Sequence, residues 1–278
     1  MAGPRIICTL DKAPRRQGEA DYRRRRDTLA LTDLSDSPGT PHGLYLGDHG
    51  HDPAFLAGAV TDGAYRVYVT CTGSAVVLAV RVDPNDGEPD VQTTVPVGAN
   101  PAAVALSPRG DLLAVAEPDS RAVHFLSVDP TTGSMSVREP PLDIGCGARH
   151  LVFASAGPPD LVLAAAAPGD RRIVLITIDP ANPQASLHTT TTVDIPGHEG
   201  PAWLGFDPEA TAITALCPKP DFTDGVTAWL SVGPERPAAA GPPYTISPVG
   251  LDVRTSLPGQ APAVVLTLGP PLPERHPT

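Results

Sequence analysis

The chain has 278 residues, of which 35 are proline, 26 are glycine and 41% are hydrophobic. That proportion of chain breakers lies below the level typical of disordered sequence, so the chain can bury a core. The formal net charge of −11 argues against nucleic-acid and membrane-surface binding, because such proteins need a basic face. The four cysteines are widely spaced, and neither a signal peptide nor a membrane-spanning run is predicted. We therefore expect a cytoplasmic protein with reduced thiols.

The first 52 residues predict three short strands with an irregular loop between the first two. Apolar, β-prone runs occupy residues 5–10, 27–32 and 43–46. The loop between the first two runs carries six arginines at positions 15, 16 and 23–26. Such a charge run is either a solvated loop or a patch that binds an anion or nucleic acid, and the solvated loop is the commoner case.

From residue 53 the sequence repeats. Residues 66–83, 112–129 and 162–179 align without gaps, and each segment ends at an aspartate that is followed by proline. Repeats begin near 53, 101, 148 and 201, and a fifth near 262 is weaker. Two repeat starts, 53 and 101, are separated by about the 40–50 residues of a four-stranded propeller blade. Short runs rich in valine and bounded by glycine and proline indicate strands rather than helices.

These repeats predict an all-β fold, a β-propeller of four-stranded antiparallel blades with five or six blades. We expect a single domain over residues 1–278. Residues 1–52 form an irregular first blade, 53–232 the regular blades, and 233–278 a proline-rich closing segment. That segment holds a weak strand pair near 244–246 and 264–268, which would close the ring by mixing strands from both termini in one blade.

Candidate site residues follow from the register of the repeats. In a propeller the loops that lead into the innermost strands meet at one mouth of the central channel. The ionisable or polar residues in that phase are His51, Asp52, Asn100, Arg149, His150, His198 and Glu199. The planar guanidinium of Arg149 suits a carboxylate or phosphate, and His150 suits proton transfer near neutral pH. Alternatively, Arg149 pairs with a structural carboxylate and His150 packs between blades.

Five phrases resemble a known family. They are residues 68–70 (Tyr-Val-Thr), 97–110 (from Val-Gly-Ala-Asn-Pro to Ser-Pro-Arg-Gly), 129–133 (Asp-Pro-Thr-Thr-Gly), 52–57 (Asp-Pro-Ala-Phe-Leu-Ala) and 145–153 (Gly-Cys-Gly-Ala-Arg-His-Leu-Val-Phe). Together they resemble the lactonase and YVTN-type β-propellers, and within them the bacterial phosphogluconolactonase and carboxymuconate cyclase group. The resemblance covers residues 5 to 232. It implies a seven-bladed parent fold and places that family's arginine and histidine at Arg149 and His150.

The sequence departs from that family at three expected side chains. Ala166-Ala167-Pro168 replaces a phrase that carries a glutamate, and Leu216-Cys217-Pro218-Lys219 replaces one that carries an arginine. A family histidine reads Ala102 or Ala103 here. Glu117, in the matching slot one blade earlier, and Glu199 are the possible substitutes for the missing carboxylate.

The resemblance and the register together predict a lactonase-like enzyme acting on a small carboxylate- or phosphate-bearing lactone or related ring, by hydrolysis, cyclisation or isomerisation. Arg149 would orient the anion, and His150 would move protons with Glu199 or His198. The predicted substrate-binding residues are His51, Asp52, Asn100 and Glu117. The expected partner is a small anionic metabolite, with no nucleic acid or membrane, and the expected state is a monomer.

Two alternatives and one weak motif accompany this prediction. A non-catalytic propeller that binds a protein or small molecule is favoured by the missing side chains. A decayed reading frame with an unclosed ring would aggregate through its strand edges. The His-Gly-His phrase at 49–51 is a possible divalent metal site, but flexible loops of this kind seldom bind metal. No metal and no organic cofactor is predicted, and Cys71 and Cys217 are expected to be small buried packing groups.

Overall fold

The computed structural model describes residues 6–10, 28–33, 42–61, 64–83, 88–154, 161–178, 185–193, 199–206, 212–218, 225–232, 237–239 and 264–268. Strands in these ranges form five four-stranded antiparallel sheets. The all-β prediction is confirmed, and five sheets are consistent with the predicted five or six blades. Within these ranges we find no helix that could cross a membrane. The Arg-rich loop and the predicted strand at 244–246 lie outside the described residues.

Four of the sheets are built from consecutive strands, in the order from the channel outward. The second sheet contains β4 (Pro53–Thr61), β5 (Ala64–Cys71), β6 (Val76–Val82) and β7 (Pro89–Pro96). The third contains β8 (Ala103–Leu106), β9 (Leu112–Glu117), β10 (Ala122–Val128) and β11 (Met135–Asp143). The fourth contains β12 (His150–Phe153), β13 (Leu161–Ala167), β14 (Arg172–Ile178) and β15 (Ala185–Thr192). The fifth contains β16 (Trp203–Phe206), β17 (Ala212–Pro218), β18 (Gly225–Val232) and β19 (Pro237–Ala239).

The first sheet joins the two ends of the chain. Its strands are β1 (Ile6–Leu10), β2 (Thr28–Asp33), β3 (His42–Tyr45) and β20 (Val264–Leu268), in the order β20-β1-β2-β3. β1 pairs antiparallel with β20 on one side, from Ile6 opposite Leu268 to Leu10 opposite Val264, and with β2 on the other. This sheet therefore combines strands from both ends of the sequence.

The burial of each strand explains its composition. All six residues of β9 are buried, because a middle strand has a neighbouring sheet on each of its two faces. Five of the six residues of β9 are accordingly leucine, alanine or valine. The outer strand β7 alternates half-buried and exposed residues, so its sequence mixes valine with threonine, glutamine and aspartate. This contrast between middle and outer strands produces the apolar runs of the repeat.

Apolar cores lie between neighbouring sheets. Separate buried clusters join the first sheet to the second, the second to the third, the third to the fourth, and the fourth to the fifth. The innermost strands also lie side by side in the order β20, β4, β8, β12 and β16. Innermost strands that neighbour one another in chain order are the arrangement expected along a propeller channel.

A buried arginine ties the second sheet to a loop of the third. Arg66, on β5, is only 6% exposed. Its Nε donates to the carbonyl oxygen of Pro130 at 3.1 Å, and one terminal nitrogen donates to the carbonyl oxygen of Thr131. The loop is also ordered from within, because Asp129 Oδ1 accepts the N–H groups of Thr131 (2.8 Å) and Thr132 (3.2 Å). At this Asp-Pro of the repeat, the chain thus forms a turn in which the aspartate side chain binds backbone N–H groups.

Candidate active site

One end of the sheets carries all the segments in which the sequence predicts a site. β4 begins beside the end of β5, and β6 begins beside the end of β7. The loop entering the innermost strand and the turn between the second and third strands therefore lie at the same end, which we call the mouth. The mouth comprises segments 46–52, 97–102, 144–149 and 199–202 and turns 72–75, 118–121 and 168–171.

The same backbone contact fixes the mouth in three successive sheets. The last residue of each turn, Ala75, Arg121 or Arg171, has a left-handed φ of 52–59°. Its carbonyl oxygen accepts the N–H of a residue in the following segment, and these pairs are Val97 to Ala75 (2.9 Å), Ile144 to Arg121 (2.9 Å) and Val193 to Arg171 (2.8 Å). Because non-glycine residues rarely adopt this conformation, its recurrence shows a turn that each repeat has kept.

His150 is the first residue of the innermost strand β12, and its ring is buried at 7% exposure. Its Nδ1 accepts the backbone N–H of Leu204, on β16 of the next sheet, at 3.2 Å. Burial lowers the pKa of His150 to about 4. The ring is therefore neutral at physiological pH, and its Nδ1 lone pair is already engaged.

Two aromatic side chains from different sheets enclose the His150 ring. The ring of Trp203, on β16, lies 4.9 Å from it at an interplanar angle of 61°. The ring of Phe55, on β4, lies 5.6 Å away at 74°. Phe55 and Trp203 are themselves 5.8 Å apart. Strands of the second, fourth and fifth sheets thus meet in an aromatic cluster, Phe55–His150–Trp203, at the centre of the propeller.

Arg149, which precedes His150 in the chain, and Glu199 both lie on segments of the mouth. The backbone N–H of Arg149 binds the carbonyl oxygen of Ala166 at 2.8 Å, while its side chain is exposed. Among the described residues, nothing forms a hydrogen bond or ion pair with its guanidinium. Glu199 is half-buried, and its neighbour Gly200 packs against the turn at Pro168. His198 lies outside the described residues, so its predicted role stays a prediction.

Glu117 binds the mouth segment before β8. It is 6% exposed and ends β9. Its Oε1 accepts the N–H groups of Ala99 and Asn100, the latter at 3.1 Å. Its Oε2 accepts from Ser120 Oγ at 2.7 Å and faces His124 Nε2 at 2.9 Å. Both carboxylate oxygens are therefore engaged within the protein. A substrate that binds Glu117, as the sequence predicts, would have to compete with these four contacts.

These contacts set the ionisation of Glu117. Burial by itself raises the pKa of this carboxyl, but the hydrogen bonds from Ala99, His124, Ser120 and Asn100 outweigh it. The pKa falls from 4.5 to about 2. Gly98 is part of the same arrangement, because it has a φ of 57° and a Cβ there would approach Glu117 Oε2 to 2.5 Å. The carboxylate of Glu117 thus anchors the loop at the mouth.

The remaining predicted binding residues lie at the mouth on neighbouring segments. His51 is exposed, and its N–H binds Ser74 Oγ at 2.9 Å. The carbonyl oxygen of Asp52, which has a φ of 54°, accepts both the N–H (3.0 Å) and the Oγ1 (2.9 Å) of Thr72. Asn100 Nδ2 donates to Asp119 Oδ2 at 2.7 Å. The turn at 72–75 thus holds the backbones of His51 and Asp52. Asp119, in the turn at 118–121, holds the side chain of Asn100.

The sequence did not identify three residues of this region, His124, Phe55 and Trp203. A signal for His124 was available, because Glu117 lies opposite Ala122 in the β9–β10 hairpin. His124, two positions further along β10, is then on the same face as Glu117 and diagonal to it. No comparable signal places Phe55 and Trp203 against His150, because those contacts depend on how sheets are arranged around the channel.

The described residues contain no group of three or more His, Cys, Asp or Glu side chains placed to hold a metal ion. The described thiols of Cys71 and Cys217 are fully buried, as expected of packing groups. Burial raises the pKa of the Cys217 thiol to about 11, so it is a poor nucleophile at neutral pH.

Comparison with known proteins adds a family match to this geometry. Residues 57–145, about a third of the chain, match the family described as lactonase, 7-bladed beta-propeller. The resemblance to the lactonase-type β-propellers is confirmed. The matched residues run from β4 to the segment between β11 and β12, and so include Asn100 and Glu117 but end before Arg149.

Solved structures share the architecture at low sequence identity. A candidate 6-phosphogluconolactonase from Bacteroides fragilis NCTC 9343 superposes with a TM-score of 0.61 and 13% identity, covering 86% of this chain and 81% of that chain. One from Bacteroides uniformis ATCC 8492 gives 0.51 and 14%, covering 91% and 86%. Kuenenia stuttgartiensis hydrazine synthase gives 0.54 and 16%, covering 78% of this chain and 60% of that one.

These structural matches define the fold and not the reaction. Proteins with quite different functions are among them, as the hydrazine synthase shows. Among curated proteins, none matches the sequence of this chain significantly. The activity must therefore be argued from the side chains at the mouth.

Proposed function

We propose that this chain is a lactonase-like enzyme that acts on a small lactone or related ring bearing a carboxylate or phosphate, at the mouth of its central channel. The observation that carries the proposal is the Arg149–His150 pair at the start of β12. Arg149 extends into solvent at the mouth, while the adjacent His150 is buried within the aromatic cluster. The match to the lactonase family and the candidate 6-phosphogluconolactonases among the structural neighbours support this reaction class.

Arg149 would bind and orient the anionic group of the substrate. Its guanidinium has no partner among the described residues, so it can offer a bidentate pair of N–H donors to a carboxylate or phosphate. Charge-assisted hydrogen bonds of this kind are the stronger class of protein hydrogen bond. The protein as a whole carries a net negative charge, which repels anions. The exposed guanidinium of Arg149 supplies a local positive charge at the mouth that attracts them.

Lactone opening also needs a group that takes a proton from water. A hydroxyl oxygen attacks the ring carbonyl carbon, the carbonyl electrons move to its oxygen, and collapse of that intermediate breaks the ring C–O bond. The half-buried carboxylate of Glu199, at the mouth, would accept the water proton and return it to the ring oxygen. His198, predicted for the same task, would act beside it.

The alternative is a non-catalytic propeller that binds a small molecule or a protein. One structural observation favours it: the residue opposite His150 on β13 is Ala166, which is fully buried. No carboxylate is therefore supplied at the position where the resemblance implies a glutamate. If the alternative propeller binds a small anionic molecule, the two proposals share the site at Arg149 and differ in turnover.

The test is proton release from a panel of sugar lactones and carboxylated lactones, with spontaneous hydrolysis subtracted. Wild type should show saturable turnover, and Arg149→Ala should lower kcat/KM by about 10- to 100-fold through loss of a charged hydrogen bond. Arg109→Ala is the matched control, because Arg109 is an exposed arginine outside the mouth that pairs with Asp111 at 3.3 Å. Its turnover should equal that of wild type.

Each outcome decides between the proposals. No turnover by a wild-type protein that melts cooperatively would overturn the enzyme and leave the binding propeller. Equal losses in Arg149→Ala and Arg109→Ala would show a general charge effect and overturn the assignment of Arg149. Retention of turnover in Arg149→Ala would place the anion site elsewhere.

A further inference from the structure

The proton of the His150 ring can be located from one hydrogen bond. The Leu204 N–H donates to Nδ1 at 3.2 Å. A nitrogen that accepts a hydrogen bond carries a lone pair, so Nδ1 holds no proton. The remaining ring proton is therefore on Nε2, and the ring is a neutral donor at that atom. The backbone of β16 thus selects the tautomer of a side chain on β12.

The surroundings of the ring keep it in this form. Phe55 and Trp203 contact it through their aromatic rings. Neither side chain carries the negative charge with which a carboxylate would stabilise an imidazolium. Within the described ranges, no carboxylate forms an ion pair or hydrogen bond with His150. The burial that lowers its pKa to about 4 agrees with this environment.

None of the contacts described above provides a hydrogen-bond acceptor for the Nε2–H group. Leu204 is the one hydrogen-bond partner of the ring in the described part of the chain. A ring that is 93% buried and still has an unused N–H donor is uncommon, because buried polar groups nearly always find an acceptor. The neighbouring residue, Arg149, reaches the mouth, where a ligand can bring an acceptor oxygen.

We infer that His150 acts as a fixed neutral donor, whose Nε2–H binds an acceptor oxygen of the ligand, and that the Leu204 N–H positions it. For a lactone, the acceptor is the ring carbonyl oxygen, which gains negative charge when water attacks. His150 keeps its proton throughout, and the water proton goes to a different group. This reassigns His150 from the proton-transfer role that the sequence predicts. The inferred contact with a lactone carbonyl rests on the proposed function, whereas the assignment of the His150 tautomer does not.

The tautomer is tested by long-range proton–nitrogen NMR of protein labelled with ¹⁵N-histidine. The His150 signals are those lost in His150→Gln. We expect the Nε2–H pattern, unchanged between about pH 5 and pH 8, where an ordinary histidine titrates. An Nδ1–H pattern, or titration with a midpoint near 6.5, would overturn the inference.

Ligand contact is tested on the same sample with D-gluconate as the probe. We expect the Nε2 resonance of His150 to shift saturably and the shift to disappear in Arg149→Ala. A saturable shift without turnover would refute the proposed function and support the donor role. An Nε2 resonance unmoved by gluconate and by every lactone that is turned over would overturn the donor role while leaving the enzyme intact.

A pair of substitutions separates donor from base in the active enzyme. His150→Gln places an amide N–H near the position of Nε2, whereas His150→Leu has similar size and no donor. We expect kcat/KM to fall less than about 10-fold in the glutamine variant and about 10²- to 10³-fold in the leucine variant. The acidic limb of the kcat/KM profile should be the same in His150→Gln and wild type. Equal inactivation of both variants, in proteins that melt like wild type, would contradict the inference.

Discussion

Replacing Glu117 by glutamine tests how the mouth is held together. The substitution keeps the shape of the side chain and removes the charge that binds Ala99, Asn100, Ser120 and His124. The folded pKa of about 2, against 4.5 for the unperturbed group, corresponds to about 3 kcal/mol of stabilisation of the folded state. For a chain of this size we therefore expect a fall in Tm of roughly 6–12 °C near neutral pH.

The sign of the pH dependence follows from the depressed pKa. A carboxyl that is more acidic when folded stabilises the protein above its unfolded pKa, and this contribution is lost as the pH falls from 4.5 towards 2. The glutamine variant has no such contribution at any pH. The difference in unfolding free energy between wild type and Glu117→Gln should therefore be about 3 kcal/mol at pH 7 and shrink steadily below pH 4.5.

Urea unfolding of both proteins at several pH values measures this difference directly. Asp119→Asn is the control, because it removes an exposed carboxylate at the same mouth that accepts a hydrogen bond from Asn100. That substitution should change stability by less than about 0.5 kcal/mol. A Glu117→Gln effect as small as the control, or one that does not diminish on acidification, would refute the anchoring role.

Three further substitutions or treatments test the packing. Arg66→Met should lower stability by about 2–4 kcal/mol in urea unfolding, since it leaves two backbone carbonyls without their donor; Arg81→Met, at a more exposed arginine opposite it, should stay within about 0.5 kcal/mol. Phe55→Ala should cost about 3 kcal/mol and shift the emission of Trp203 to longer wavelength, and an unshifted emission would argue against the aromatic cluster. Cys217 should react with a thiol reagent only on unfolding, and rapid labelling of the native protein at this position would contradict its burial.

Strand positions in this chain could be predicted well because they depend on local patterns. The aligned segments 66–83, 112–129 and 162–179 coincide closely with the strand pairs β5–β6, β9–β10 and β13–β14. Each predicted repeat start lies within two residues of an innermost strand. Period, turn residues and apolar runs are all properties of neighbouring positions, which is why the sequence carries them.

The chemistry of the site was harder to predict because it depends on contacts between sheets. The sequence identifies His150 as a titratable residue at the channel, but its tautomer depends on Leu204, which is 54 residues away on another sheet. Likewise, the ionisation of Glu117 is decided by backbone N–H groups of a loop 17 and 18 residues before it. Residue type indicated where a polar group would lie, whereas its protonation required the three-dimensional neighbours.

The position of β1 between β20 and β2 has a consequence for how the protein is made. β1 leaves the ribosome before the other described strands, yet one of its two hydrogen-bonding neighbours is β20, which begins at Val264. At about 5–20 residues per second, translation of the intervening chain takes roughly 13–50 s. During that interval one edge of β1 has no partner strand, and sheets synthesised later can fold before the first is complete. Of the described strands, the earliest in synthesis is thus among the last to be fully paired.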